Sequence, residues 1–305
     1  MYILVVKQLV TMFIIGIAGF IFAKVFKVEE SQRKFLSKLL LYFINPCVVI
    51  QSFNKEFNLE KMKQLLFVFI VAVLVTVVMI IIGVLSSKNI LDRLGTAFTN
   101  CGFVGIPLIR GVFGDEGVFY LMGYLVVFNI FVWTYGYYQL SGTISLKKIF
   151  TNPNIICVIG GIILYCLPCT LPEVIEKPLT MVGDLNTAVS MILLGILLAD
   201  FKLAEGKEYC WSIVKFNLFR LVICSIINIG VLFCVYKLFG SFPNAKMLCF
   251  VVLICSMCPA ATSIPSLACV FDKNAPYASL IVSISSVLCI ITLPTFVALA
   301  ELVIK

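Results

Sequence analysis

The sequence predicts an all-α polytopic membrane protein: ten transmembrane helices in two inverted five-helix repeats, with an interrupted helix at the fourth place of each. Three observations carry this. The 305-residue chain is 62% apolar and only 12% charged, too little charge to cover a soluble protein of this length. Its apolar residues fall into ten runs of spanning length, at about 5–26, 35–53, 65–86, 95–113, 117–139, 154–171, 179–200, 211–238, 246–271 and 277–302. Two of those runs are broken in the middle, at Asn100-Cys101-Gly102-Phe103-Val104-Gly105-Ile106-Pro107-Leu108 and at Cys258-Pro259-Ala260-Ala261-Thr262-Ser263-Ile264-Pro265-Ser266.

The first run is apolar from Leu9 to Phe26, follows Lys7 and shows no convincing cleavage site, so a retained helix is expected rather than a signal peptide. The second contains Asn45-Pro46, which either forms part of a cavity wall or kinks the helix with Asn45 as its cap. The third is apolar throughout. The broken fourth run ends at the polar turn Gly114-Asp115-Glu116, and the fifth follows. The connection 140–153, with Lys147-Lys148, is expected on the cytoplasmic side and separates a first repeat, 1–139, from a second, 154–305. No polar stretch exceeds roughly 15 residues, well short of a soluble domain.

In the second repeat the seventh run carries Asp184 about a turn and a half inside. The eighth carries Arg220 about two turns inside, with Lys215 nearer the interface. At these depths Asp184 and Arg220 are not expected to pair. The broken ninth run ends at Asp272-Lys273-Asn274 and leads into the tenth. Ile106-Pro107 and Ile264-Pro265 stand 158 residues apart at corresponding places. Five is an odd number of crossings, so the second half enters from the opposite side and the repeat is inverted.

The formal charge of +8 is scattered through short loops. That distribution reads as topological charge against a lipid bilayer and not as a nucleic-acid surface. Near the helix ends, twelve Lys and Arg lie on the side of Lys24, Lys34 and Lys147, against nine on the side of Lys7, Lys61 and Arg110. The excess places both termini outside. There are 13 cysteines and no histidine. Cys166/Cys169 and Cys255/Cys258 have CxxC spacing, but neither a βαβ context nor a histidine accompanies them. No metal, redox centre or cofactor is therefore expected. Without a histidine base or a carboxylate dyad, neither an enzyme nor a proton relay is expected.

The breaks carry the chemistry. Proline cannot donate to the helix ladder, and glycine weakens it. Gly102, Gly105, Ile106 and Pro107 in one segment, and Pro259 and Pro265 in the other, are expected to free backbone groups in the membrane. Such backbone is tolerated only where protein, cavity water or ligand satisfies it. If the segments cross near the midplane, each second half turns N–H groups and a positive dipole end toward the crossing, which favours an anion. Asn100 precedes the first break, where its amide can donate to a carboxylate, and Cys101 lies beside it. Thr262, Ser263 and Ser266 can donate from the other side, or bond back to their own helix. Arg220 either attracts an anion from the cavity or pairs locally.

The Asn100 to Leu108 stretch resembles the fourth-helix signature of the auxin efflux carrier family, which includes the plant PIN carriers and many bacterial permeases. Asn45-Pro46, Ala268-Cys269-Val270-Phe271-Asp272 and Ile291-Thr292-Leu293-Pro294 support the resemblance, which covers essentially the whole chain. It implies ten helices in two inverted repeats, an NhaA-like arrangement with a scaffold and a transport domain, and crossing broken helices four and nine at the substrate site. It also implies organic-anion substrates, mono- or dicarboxylates, with Asn100 at the family asparagine that contacts the carboxylate. The chain departs from the family in its short 140–153 connection, in Ser190 where many bacterial relatives carry proline, and in lacking an asparagine in helix nine equivalent to Asn100.

Together these readings predict a plasma-membrane secondary transporter of a small organic anion, working by elevator-type alternating access. A homodimer is compatible with the sequence. The rival from another class is a membrane sensor that binds a ligand without moving it; the lack of a soluble signalling domain counts against it.

Overall fold

The computed structural model describes residues 2–143, 151, 153–167, 170–199 and 209–304. Most of the 140–153 connection with Lys147 and Lys148, the CxxC partner Cys169, and Lys202 and Lys207 lie outside the described residues. Among the described residues eleven helical stretches follow one another: α1 Tyr2–Phe26, α2 Glu30–Phe53, α3 Leu59–Ser86, α4 Ile90–Ala97, α5 Cys101–Ser141, α6 Pro153–Cys166, α7 Glu173–Ala199, α8 Cys210–Phe239, α9 Ala245–Met257, α10 Ser263–Val270 and α11 Ala275–Val303. Seven of them (α1, α2, α3, α5, α7, α8 and α11) are long and apolar enough to cross a membrane. No strand occurs among the described residues, only an isolated bridge between Thr99 and Ala260.

Local signals set the helix ends. Asn58, Asn89 and Asn274 cap α3, α4 and α11 by accepting the backbone N–H of Lys61 (3.1 Å), Leu91 (2.9 Å) and Tyr277 (3.0 Å). Gln32 reaches back to the Glu29 N–H (2.9 Å) at the start of α2. Gly114 interrupts α5 at φ 66°, ψ −162°, a backbone state that a side chain disfavours. That is where the sequence separates its fourth and fifth apolar runs. Proline is absorbed by a wider turn: π-helical Leu40–Ile44 precedes Asn45-Pro46, and π-helical Cys101–Gly105 precedes Pro107.

The helices pack in two groups. One holds α1, α2, α6 and α7; the other holds α3, α4 and α8 to α11; α5 touches both. α1 and α7 lie so close that a Cβ on Gly19 would sit 2.5 Å from the Ile192 carbonyl oxygen. α9 is the innermost helix. Every residue from Leu248 to Met257 is buried, as expected of a helix apolar on all sides. Both ends of the chain reach the same end of the bundle, where Tyr2 donates its N–H to Glu301 (3.1 Å). α7 runs unbroken through Ser190, whose hydroxyl donates back to the Thr187 carbonyl (3.1 Å).

Candidate functional site: the crossing of two interrupted helices

α4 stops at Ala97 and α5 begins at Cys101; α9 stops at Met257 and α10 begins at Ser263. The two extended pieces between them meet as an antiparallel bridge. Asn100 donates its N–H to the Pro259 carbonyl (2.8 Å), and Ala261 donates to the Phe98 carbonyl (3.0 Å). Backbone freed by one break thus satisfies backbone freed by the other, which answers the demand that every buried N–H and C=O be paired. Pro259 sits where only its carbonyl is needed. The Ala260 N–H goes to the hydroxyl of Ser285 on α11 (3.2 Å).

The interruptions lie at Phe98–Asn100 and Cys258–Thr262, at the start of the two stretches that the sequence marks, and not at Pro107 or Pro265 themselves. Pro265 stands in the first turn of α10, where a missing N–H costs nothing, and Pro107 follows the π-helical turn Cys101–Gly105 inside α5. Several N–H groups at the breaks are also occupied. Those of Val104 and Gly105 reach the Asn100 carbonyl (3.0 and 3.2 Å), and that of Ile264 reaches Ala261 (3.1 Å).

Asn100 has a double role in its own turn. Its Oδ1 caps α5 by accepting the Phe103 N–H (3.3 Å), which fixes which end of the amide is oxygen. Its Nδ2 is buried without a hydrogen-bond partner. The Ser263 hydroxyl at the start of α10 is buried and unpartnered as well. Thr262 is half-buried and Ser266 exposed. Buried Cys101 and Ile106 pack into the core. A Cβ on Gly105 would make only ordinary contacts with Cys101, Cys258 and Cys255, and one on Gly102 would meet open space, so close packing explains neither glycine.

Arg220 is 1% exposed. It neither snorkels to an interface nor pairs with a carboxylate among the described residues. It rises from the π-helical turn Leu218–Ile223 of α8 and donates Nη2 to the carbonyls of Ser256 (3.0 Å) and Cys258. It thereby caps the end of α9, where free carbonyls and the negative dipole end gather. Its Nε and Nη1 have no partner. Arg220 binds the carbonyl of Cys258 and the Asn100 main-chain N–H that of the next residue, Pro259, so both residues are anchored at one crossing.

Asn45 Oδ1 accepts Asn186 Nδ2 (2.6 Å), tying α2 to α7, and Pro46 follows it in the turn after π-helical Leu40–Ile44. Asp184 is tied to Arg110 (3.5 Å), which also meets Asp115 (3.2 Å). Sequence reasoning missed Asn186, Ser285 and Gln8, which donates Nε2 to the Pro107 carbonyl (3.1 Å). An isolated polar residue within an apolar run was the signal each of them offered. A cavity of about 480 Å³ adjoins the crossing, walled by α1, α7 and α11 and reaching Val104 and Pro259. No group of three or more metal-ligating side chains occurs among the described residues.

The sequence matches known proteins. The family model described as membrane transport protein matches residues 4–143 and 138–297. An uncharacterized transporter of Methanocaldococcus jannaschii is 25% identical over 221 residues, covering 66% of this chain and 71% of that protein. With both halves matched, the chain belongs to the auxin efflux carrier-type family of membrane transport proteins.

Proposed function

We propose that this multi-pass membrane transporter moves a small organic anion, a mono- or dicarboxylate, across the plasma membrane, and that the anion binds at the crossing. One observation carries the reading. A fully buried arginine with no carboxylate partner among the described residues, and an asparagine whose buried Nδ2 has no partner, are anchored at the adjacent carbonyls of Cys258 and Pro259 in one helix break. A buried charge without a counter-ion is costly, and an arriving carboxylate would supply both the charge and the acceptors. Asn100 Nδ2 and Arg220 Nε and Nη1 would donate, with Ser263 within the same break.

The proposed topology has ten crossings in two inverted repeats, with α4 and the first part of α5 as the fourth and α9 with α10 as the ninth. That both ends of the chain meet at one end of the bundle supports an even number of crossings. The charge count supports termini outside. In the elevator motion, α1, α2, α6 and α7 would act as scaffold while the group holding the crossing slides against it; the two packing groups support this. A single negative charge moving outward would gain about 2.3 kcal/mol per 100 mV of membrane potential.

The test is uptake of labelled mono- and dicarboxylates into proteoliposomes, set against equilibrium binding. Saturable flux of one acid, lost in Asn100→Ala and Arg220→Gln variants that still fold, is the expected result. Flux that persists in both variants would remove the crossing as the anion site. Binding without flux would make the protein a sensor.

A further inference from the structure

Among the described residues only two charged side chains are buried, Arg220 (1% exposed) and Asp92 (7%). The anion reading uses the first and leaves the second without a task. Asp92 lies in the first turn of α4. An aspartate there is ordinary at a surface, where it meets the positive end of the helix; a buried one is costly unless it is bonded. Its Oδ1 accepts the Tyr277 hydroxyl of α11 (2.6 Å), and its Oδ2 accepts the Ser87 hydroxyl (2.8 Å). Exposed Lys215 of α8 lines a small space with Asp92, Ser86 and Phe219 but forms no ion pair with the carboxylate. Arg93 turns its Nε to the Ser87 carbonyl instead (2.7 Å). Tyr209 lies against the Tyr277 ring, 5.0 Å between centroids. α3 and α10 also pack on α4 and bring no further charge, since residues 79–86 and all of α10 are uncharged.

Both helices that hold this carboxyl group reach the crossing. α4 leads from Asp92 into the first interruption, at Phe98. α11 runs from Tyr277 to Ser285, whose hydroxyl accepts the Ala260 N–H at the second (3.2 Å). α4 also packs on the π-helical turn Leu218–Ile223 that carries Arg220.

We infer that Asp92 binds the coupling proton of this transporter, one proton for each substrate molecule held at the crossing. This rests on the anion-site reading above and goes beyond it. Charge balance carries the argument. α4 and α8 belong to the packing group proposed to slide. With the crossing empty, the buried guanidinium and the buried carboxylate cancel. A bound carboxylate leaves that group with a net negative charge, where uncompensated charge is expensive. A proton taken from the adjoining water by Asp92 restores neutrality, and it leaves on the side where the acid leaves. Protonated Asp92 keeps its contacts, because the carboxyl oxygens still accept and a neighbouring hydroxyl can accept the added proton. A monocarboxylate then crosses as a neutral load. A dicarboxylate crosses with one net charge, on which the membrane potential acts.

The experiment uses the full-length protein in proteoliposomes with labelled glycerate, gluconate and succinate. The membrane potential is clamped at zero, and protein-free liposomes give the baseline. A pH gradient of one unit should drive about tenfold accumulation of a transported acid on the alkaline side, the ratio set by one coupled proton. Asp92→Asn has the shape and the neutrality of the protonated side chain. It should still exchange labelled for unlabelled acid but build no gradient. A hydrophobic carbodiimide, which reacts with protonated carboxyl groups in apolar surroundings, reads the same site in the wild-type protein. Mass spectrometry should find Asp92 modified, less so as the pH rises, and the modified protein should not accumulate substrate. If Asp92→Asn does not fold, this labelling decides. Saturable flux that ignores the pH gradient, accumulation that survives in Asp92→Asn, or labelling of Asp92 that does not change with pH would overturn the inference and leave the anion site standing. No saturable flux of any of the three acids, or flux that survives Arg220→Gln, would instead defeat the anion-site reading, and the coupling would fall with it.

Discussion

Asn100 and Pro259, 159 positions apart in the sequence, are joined main chain to main chain: the Asn100 N–H donates to the Pro259 carbonyl at 2.8 Å. This bond ties the two interrupted helices together at their breaks. It also aims the Asn100 side chain, because the turn that delivers the N–H to Pro259 leaves Oδ1 over the Phe103 N–H and Nδ2 unused.

The two ends of the Asn100 amide should be separable by substitution. Asn100→Asp keeps a capping oxygen and should retain stability within about 1 kcal/mol, the typical worth of a cap. It should nevertheless lose carboxylate binding, because a negative oxygen replaces the donor. Thermal unfolding alongside binding measures both. If Asn100→Asp binds carboxylates normally, Nδ2 is not a ligand.

Arg220 holds the last carbonyls of α9 as well as offering donors to the crossing. Arg220→Met removes both functions and leaves the Ser256 and Cys258 carbonyls unpaired. The expected loss is about 1–3 kcal/mol of stability, together with all carboxylate binding. Arg220→Lys should restore part of the stability but little of the binding, since a point charge cannot reproduce the guanidinium fork. Unfolding curves and binding isotherms of the pair of variants decide this.

Asn186 donates to Asn45 between α2 and α7. Amide bonds between membrane helices are worth about 0.6 kcal/mol on average and up to about 1.7. Asn186→Ala should therefore lower unfolding stability by about 1 kcal/mol and leave the carboxylate dissociation constant unchanged. A tenfold loss of affinity would put Asn45 at the binding site.

Arg110 on α5 stands between Asp115 of its own helix and Asp184 of α7, and Gln8 of α1 holds the Pro107 carbonyl nearby. These contacts join the two packing groups at one end. The Asp184 side chain is 63% exposed, and such pairs contribute at most about 1 kcal/mol. Asp184→Asn should change the transport rate up to about fivefold while equilibrium affinity stays constant. A shift in affinity with no change in rate would contradict a role confined to this contact between groups.

Much of this protein could be read along the chain. The apolar runs marked the helices, Gly114 and the Asp272-Lys273-Asn274 turn marked where two of them end, and the doubled Ile-Pro motif located both breaks within about ten residues. The Ile-Pro prolines are not themselves the interruptions: Pro265 is comfortable in a first turn and Pro107 follows a π-helical turn, whereas Phe98–Asn100 carries no breaker of its own and is held by its bridge to the second break.

The roles of Asn45 and Arg220 also lay beyond the sequence. An isolated amide or guanidinium in an apolar run announces that it needs a partner without saying which. Asn45 found Asn186, 141 positions away, while Arg220 found the carbonyls of Ser256 and Cys258. The sequence by itself determined the membrane class, the helices and the presence of two interruptions, because hydrophobic length and backbone donors are local properties. Only the tertiary structure decided which freed carbonyl meets which N–H and which polar donors are left over. Those pairings join residues from 36 to 159 positions apart, and no local rule reaches that far.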